Sequence, residues 1–130
     1  MDSVKSRIRI LIADDSLKAL DSVHRYLKSE PGFEVIATAT DGLQLLNKAA
    51  YHCPDLVLTD LSLPRINGLE AATTLRKNFP KLRIIIFTAL NGLSIRDECL
   101  RSGADGFVQK SQMPEKLLEE VRRLFPNDPA

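Results

Sequence analysis

Five polar side chains in this sequence stand at the ends of short apolar runs, and their types suit one piece of chemistry. Asp14 and Asp15 follow IRILIA (Ile8 to Ala13), Asp60 follows LVLT (Leu56 to Thr59), Thr88 closes RIIIFT (Arg83 to Thr88), and Lys110 follows GFVQ (Gly106 to Gln109). If folding brings those ends together, three carboxylates converge. At ~4 Å and an effective dielectric of ~20, each pair repels by roughly 4 kcal/mol. Such a cluster wants a cation. Hard oxygen donors on loops, too few to wrap calcium and leaving room for water and substrate oxygens, suit Mg²⁺ or Mn²⁺. Lys110 adds a fixed positive charge, so the site has room for one further anion, and a phosphoryl group is the natural one. A carboxylate can itself attack phosphorus to form an aspartyl phosphate while metal and lysine neutralise the transferred oxygens. Singly, each residue has a plainer role: Asp14 or Asp15 as a helix cap, Asp60 in a turn, Thr88 as a strand-end hydroxyl, Lys110 as a solvated charge. Their joint placement at the ends of separate runs is what argues for a site.

Those ends meet only if the runs are parallel strands. Short β-rich apolar runs alternate with stretches of helical period, the signature of repeated βα units around a parallel sheet. Five strands are expected: the four above and FEVIATA (Phe33 to Ala39). The third and fourth are nearly all apolar, as for central strands covered on both faces. Leu20, Val23 and Leu27 mark the inner face of a first helix, closed by Pro31 and Gly32. Further helices are expected over Gly42 to Ala50, Gly68 to Asn78, Ser94 to Arg101 and Pro114 to Phe125, with Pro114 in the first turn of the last. In such a sheet, functional groups collect at the carboxyl ends of the strands.

The chain has 130 residues, 44% hydrophobic and 27% charged, with 18 basic against 17 acidic side chains. That is one soluble globular domain, and the charge balance argues against nucleic-acid binding by this segment. The start, Met1 to Arg9, alternates polar and basic residues, and the apolar run Ile8 to Ala13, interrupted by Arg9, is too short for a signal peptide or membrane span, so a cytoplasmic protein is expected. Cys53 and Cys99 lack metal-ligand spacing and are expected as two buried thiols. Residues 1–125 are expected to form the domain and 126–130 (PNDPA) a linker or tail.

The motifs LIADDS (Leu11 to Ser16), LVLTDLSLPRINGLE (Leu56 to Glu70), IIIFTA (Ile84 to Ala89) and GADGFVQK (Gly103 to Lys110) come in an order that resembles the receiver domains of two-component response regulators. The resemblance implies a CheY-like, flavodoxin-like doubly wound α/β fold, with five parallel strands in the order 2-1-3-4-5 and five helices. It implies that Asp60 is the phosphoacceptor, taking its phosphoryl group from a phosphohistidine on a sensor histidine kinase or phosphotransfer protein. Asp15, Asp60 and the main-chain carbonyl of Ser62 would ligate Mg²⁺, with Asp14 acting through water. Lys110 would pair with a phosphoryl oxygen or with Asp60, Thr88 would be the switch hydroxyl, and Phe107 the aromatic that moves with it. The switched surface would be the fourth helix, fifth strand and fifth helix. The domain would be a signalling switch and not a turnover enzyme.

Many receivers place proline directly after the lysine; Ser111 stands here, so a trans bond is expected, as in receivers similar to those of NarL-like transcription regulators. That variant points to a C-terminal DNA-binding domain outside this segment, and leaves homodimerisation open. Leu90, two residues after Thr88, occupies a position expected to shield the acyl phosphate from water. Two other readings compete. A haloacid-dehalogenase-like phosphatase also uses a strand-end aspartate, but needs a second acid two residues on, where Ser62 stands. A receiver-like interaction module independent of phosphate would be expected to have lost one of Asp14, Asp15, Asp60, Thr88 or Lys110, and all are present.

Overall fold

The computed structural model describes residues 7–90 and 92–126. Elements alternate along the chain: β1 (Ile8–Ala13), α1 (Leu17–Lys28), β2 (Phe33–Ala39), α2 (Gly42–His52), β3 (Leu56–Asp60), α3 (Gly68–Asn78), β4 (Arg83–Thr88), α4 (Leu93–Arg101), β5 (Gly106–Gln109) and α5 (Glu115–Leu124). All pairings are parallel, in the order β2-β1-β3-β4-β5. The first strand therefore lies in the interior of the sheet, and the path from it runs outward to β2, then crosses back past β1 to β3. This reversal opens a crevice at the carboxyl ends of β1 and β3, where open α/β sheets bind ligands.

The near-continuous apolar runs resolve into two faces once the strands are paired. On one side Leu11, Val57, Ile84 and Ile86 meet Leu45 and Ala49 of α2, Ala71, Ala72 and Leu75 of α3, and Cys99 of α4. On the other, Ile10, Ile12, Leu56, Leu58, Ile85 and Phe87 meet Leu20, Val23 and Leu27 of α1 and Leu117 and Val121 of α5. Alternate residues of each run thus serve opposite cores, which is why the sequence of β3 and β4 shows no polar alternation. Full burial of each Leu or Ile contributes about 1.5–3 kcal/mol against exposure, so the strands are anchored from both sides.

Three helices start with side-chain caps beside the crevice: Ser16 accepts from Ala19 N–H, Asp41 from Gln44 N–H, and Asn67 from Glu70 N–H in a reciprocal capping box. The plainer role of Asp14 or Asp15 as a helix cap thereby falls away; Ser16 takes it, because its hydroxyl lies at the first residue outside α1. β2 is an edge strand. Its register to β1 shifts between Ile10 and Leu11, so that Ile36 is passed over, and Lys48 Nζ donates to Thr38 O at 2.6 Å.

Two further expectations change. Cys53 is exposed, because it is the left-handed C-cap of α2 at φ 48° and lies beyond the helix's inner face; Cys99 is buried, and burial with Glu98 nearby pushes its thiol up to about 11. Pro114 lies outside α5 as its N-cap, separated from β5 by a single 3-10 turn over Lys110–Gln112. The cis peptide bond of this segment falls at Met113–Pro114, not after Lys110. Of the expected tail, residues 127–130 lie outside the described residues, as does the start of the chain through residue 6.

Candidate functional site

The crevice is built from strand ends. Asp14 and Asp15 follow β1, Asp60 is the last residue of β3, Thr88 is the last of β4, and Lys110 directly follows β5. One oxygen from each of Asp14, Asp15 and Asp60 lies within 4.8 Å of the others. Asp14 is fully buried and Asp60 nearly so, whereas Asp15 is exposed. Lys110 Nζ donates to Asp14 Oδ2 at 2.8 Å and to Asp60 Oδ2 at 3.2 Å. The remaining oxygens face backbone donors: Ser16 N–H reaches Asp14 Oδ1 at 2.9 Å and Ser62 N–H reaches Asp60 Oδ1 at 3.4 Å. Thr88 is buried, and its hydroxyl accepts from Leu90 N–H at 3.1 Å. Leu90 itself is exposed. Phe107 is half-buried, pairs in register with Ile86, and packs on the core beneath α4.

One ammonium does not neutralise three carboxylates. Burial pushes the Asp60 carboxyl above its ordinary value, and the charge of Asp14 pushes it further; the charge and hydrogen bond of Lys110 and the Ser62 N–H act the other way without prevailing. For Lys110, burial alone would lower the ammonium, but the hydrogen bond it donates to Asp14 and the charges of Asp60 and Asp14 outweigh it, and the net shift is upward. Lys110 also sits 5.3 Å from the centre of the buried Phe87 ring, whose face favours a cation. The lysine is therefore firmly charged while the carboxylates retain an excess of negative charge. The set can take up a divalent cation through oxygen donors and can present Asp60 to an electrophilic phosphorus beside Lys110.

Residues 10–122 match the family described as the response regulator receiver domain. The chain belongs to this family. Among curated relatives, this receiver is similar to the transcriptional regulatory protein DegU of Brevibacillus brevis, at 30% identity over 118 residues, 91% of this chain and 50% of that protein. Among solved structures, it resembles the signal receiver domain of the response regulator NarL from Mycobacterium tuberculosis, with a TM-score of 0.86 at 25% identity, over 91% of this chain and 95% of that one. It also resembles the CheX–CheY–BeF3–Mg complex of Borrelia burgdorferi, with a TM-score of 0.86 at 29% identity, over 92% and 90%. The receiver spans about half the length of the curated relatives it matches. Among its described residues, no helix is long and apolar enough to cross a membrane.

Receiver domains bind Mg²⁺ through acidic residues, and the three convergent carboxylates here are a fitting oxygen donor set. Two contributors to the receiver's crevice escaped the sequence reading. Phe87 read as one more core residue of an apolar strand, and only the position of Lys110 shows it as the wall beneath the ammonium. The start of α2 packs against the loop after Asp60, with Gly42 N–H donating to Pro64 O at 3.1 Å. The signal available was a glycine directly after the Asp41 cap, a position where helices favour better formers.

Proposed function

We propose that this receiver accepts a phosphoryl group on Asp60 from the phosphohistidine of a sensor histidine kinase or phosphotransfer protein, and transmits the change through Thr88 and Phe107. The carrying observation is the pairing of one ammonium with both Asp14 and Asp60, at 2.8 and 3.2 Å, in a cluster of three carboxylates. An oxygen of Asp60 forms the new P–O bond as the P–N bond of the donor breaks, and the imidazole leaves with the bonding electrons. Lys110 exchanges its contact with Asp60 for one with a phosphoryl oxygen. Asp15, Asp60 and the Ser62 carbonyl would hold Mg²⁺ (Mn²⁺ suits the same donors), with Asp14 assisting through water, and the ion would supply charge neutralisation at the transferred oxygens.

The Thr88 hydroxyl, satisfied now by Leu90 N–H, can turn to donate to the phosphoryl group. Phe107, half-buried behind it, then repacks, and the surface of α4, β5 and α5 changes. DegU is named a transcriptional regulatory protein, and a C-terminal DNA-binding domain in a longer, cytoplasmic protein of the same kind fits a receiver that spans half of such relatives. In that arrangement self-association of the receiver is one route to output, and the domain is a switch whose chemistry is confined to its own modification.

Incubation with phosphoramidate and Mg²⁺, followed by intact-mass measurement, is expected to add one phosphoryl group. Unchanged mass, or equal modification of Asp60→Asn, overturns the reading.

A further inference from the structure

We propose that the N-terminus of α2 is the positioning element of the metal-binding loop, with Gly42 and Arg65 as its two working residues; this rests on the reading that Ser62 O and Asp60 hold Mg²⁺. The loop from Leu61 to Asn67 is closed at its base by Gly68 N–H donating to Leu61 O at 2.8 Å. Its tip is held from outside. Pro64 O accepts from Gly42 N–H at 3.1 Å and from Ile66 N–H at 2.8 Å, so one carbonyl ties the loop both to α2 and to itself. A Cβ on Gly42 would fall 1.8 Å from Ile66 O and 2.6 Å from Ile66 Cβ. Helix and loop touch at a distance only glycine allows.

Arg65, enclosed by that tight turn, has φ 70°, a left-handed conformation costly for a residue with a Cβ. It is maintained by its surroundings: the two bonds to Pro64 O, and the approach of Arg65 Nε to within 3.6 Å of Asp41 Oδ2. Asp41 divides its oxygens, giving Oδ1 to the Gln44 N–H cap at 2.8 Å and Oδ2 to the loop. Arg65 is largely exposed, so the ion pair itself contributes little, and the backbone contacts dominate. Ser62 lies between the pinned base and the pinned tip, with its N–H on Asp60 Oδ1 at 3.4 Å. Displacing Pro64 and Ile66 therefore displaces the Ser62 carbonyl relative to Asp60. Gly42 and Arg65 touch neither metal nor phosphoryl group; they set the fraction of molecules whose loop is ready to bind.

The test compares Gly42→Ala, Arg65→Val and Arg65→Gly with the parent chain. Mg²⁺ is titrated against the amide NMR shifts of Leu61 and Ser62, and separately against the rate of modification by phosphoramidate. Arg65→Val is expected to raise the Mg²⁺ midpoint several-fold, since β-branching adds to the left-handed penalty Arg65 already bears, and Gly42→Ala by at least as much, since its Cβ would fall 1.8 Å from Ile66 O. The rate at saturating Mg²⁺ and the metal-free melting temperature of Arg65→Val should change little, a split that a general loss of structure would not give. Arg65→Gly, free to adopt φ 70°, should restore the midpoint. Unchanged midpoints in Gly42→Ala and Arg65→Val, or a midpoint as high in Arg65→Gly as in Arg65→Val, overturn the inference. If Gly42→Ala does not fold, the two exposed Arg65 variants decide alone. Absence of Mg²⁺-dependent shifts in the parent chain instead overturns the functional reading, and the inference with it.

Discussion

The two ends of the sheet carry ion clusters of opposite design. At the carboxyl end, one ammonium faces three carboxylates. At the amino end, one carboxylate faces two guanidiniums: Asp105 Oδ2 accepts from Arg76 and from Ile84 N–H at 2.8 Å, and Asp105 Oδ1 lies 3.7 Å from Arg83. Arg76 donates further to the carbonyls of Gly103, Pro80 and Leu82, and Arg123 donates to Asp105 O. The amino-end cluster is satisfied, and it ties α3, β4, β5 and α5 together. The carboxyl-end cluster holds surplus negative charge that the fold alone does not neutralise. One end is satisfied by its own partners and the other is not, a contrast expected where a local rule is broken at a functional site.

The sharpest way to break this contrast is Asp60→Asn, which should abolish phosphoryl incorporation altogether by intact mass while leaving the fold in place. Next in size, Asp105→Ala should cost about 2–3 kcal/mol in urea unfolding, since it removes the carboxylate partner of Arg76 and the acceptor of the Ile84 N–H, and should leave phosphoryl incorporation unchanged. A stability gain of Asp105→Ala would erase the distinction between the ends. Asp60→Asn, by contrast, should stabilise the metal-free fold by about 0.5–2 kcal/mol at neutral pH.

The pH dependence of that gain follows from the direction of the Asp60 shift. A carboxyl whose folded pKa is raised binds its proton more tightly in the folded state, so its contribution is present below the ordinary value of 3.8 and lost as pH rises through the folded pKa. The advantage of Asp60→Asn should therefore be absent at pH below 3.8 and grow above it. Unfolding curves at several pH values give the check. Smaller again, Mg²⁺ at ten times its dissociation constant should stabilise the parent chain by about 1.4 kcal/mol, equally in Asp105→Ala but not in Asp60→Asn. Least of all, Leu90→Ala should shorten the acyl phosphate half-life by a few fold, measured by loss of the modified mass; an unchanged half-life removes Leu90 as a shield.

Much of the crevice was legible because strand ends are visible as the ends of apolar runs. A polar residue at such an end needs no further information to be placed at the carboxyl edge, which is how Asp14, Asp15, Asp60, Thr88 and Lys110 emerged together. Residues whose role depends on what lies across a gap were not legible. Cys53 is apolar enough for a core, but its exposure was decided by the left-handed turn that ends α2. Gly42 and the turn from Pro64 to Ile66 stand apart in sequence and meet only after β3 is seated beside β1. Pro114 illustrates a smaller limit: its φ of −87° suits the first turn of a helix or the residue before it, and here it stands as the residue before α5.

The interruption in β2 has a bearing on crowding. An open sheet invites another chain to add a strand, and a long regular edge is the usual seed of polymerisation. Here one edge strand passes over Ile36 and has its Thr38 carbonyl taken by the Lys48 ammonium, while the opposite edge, β5, is only four residues long. Neither flank offers an uninterrupted template, so the molecule can be abundant and still meet its neighbours through helices and loops, not through backbone ladders.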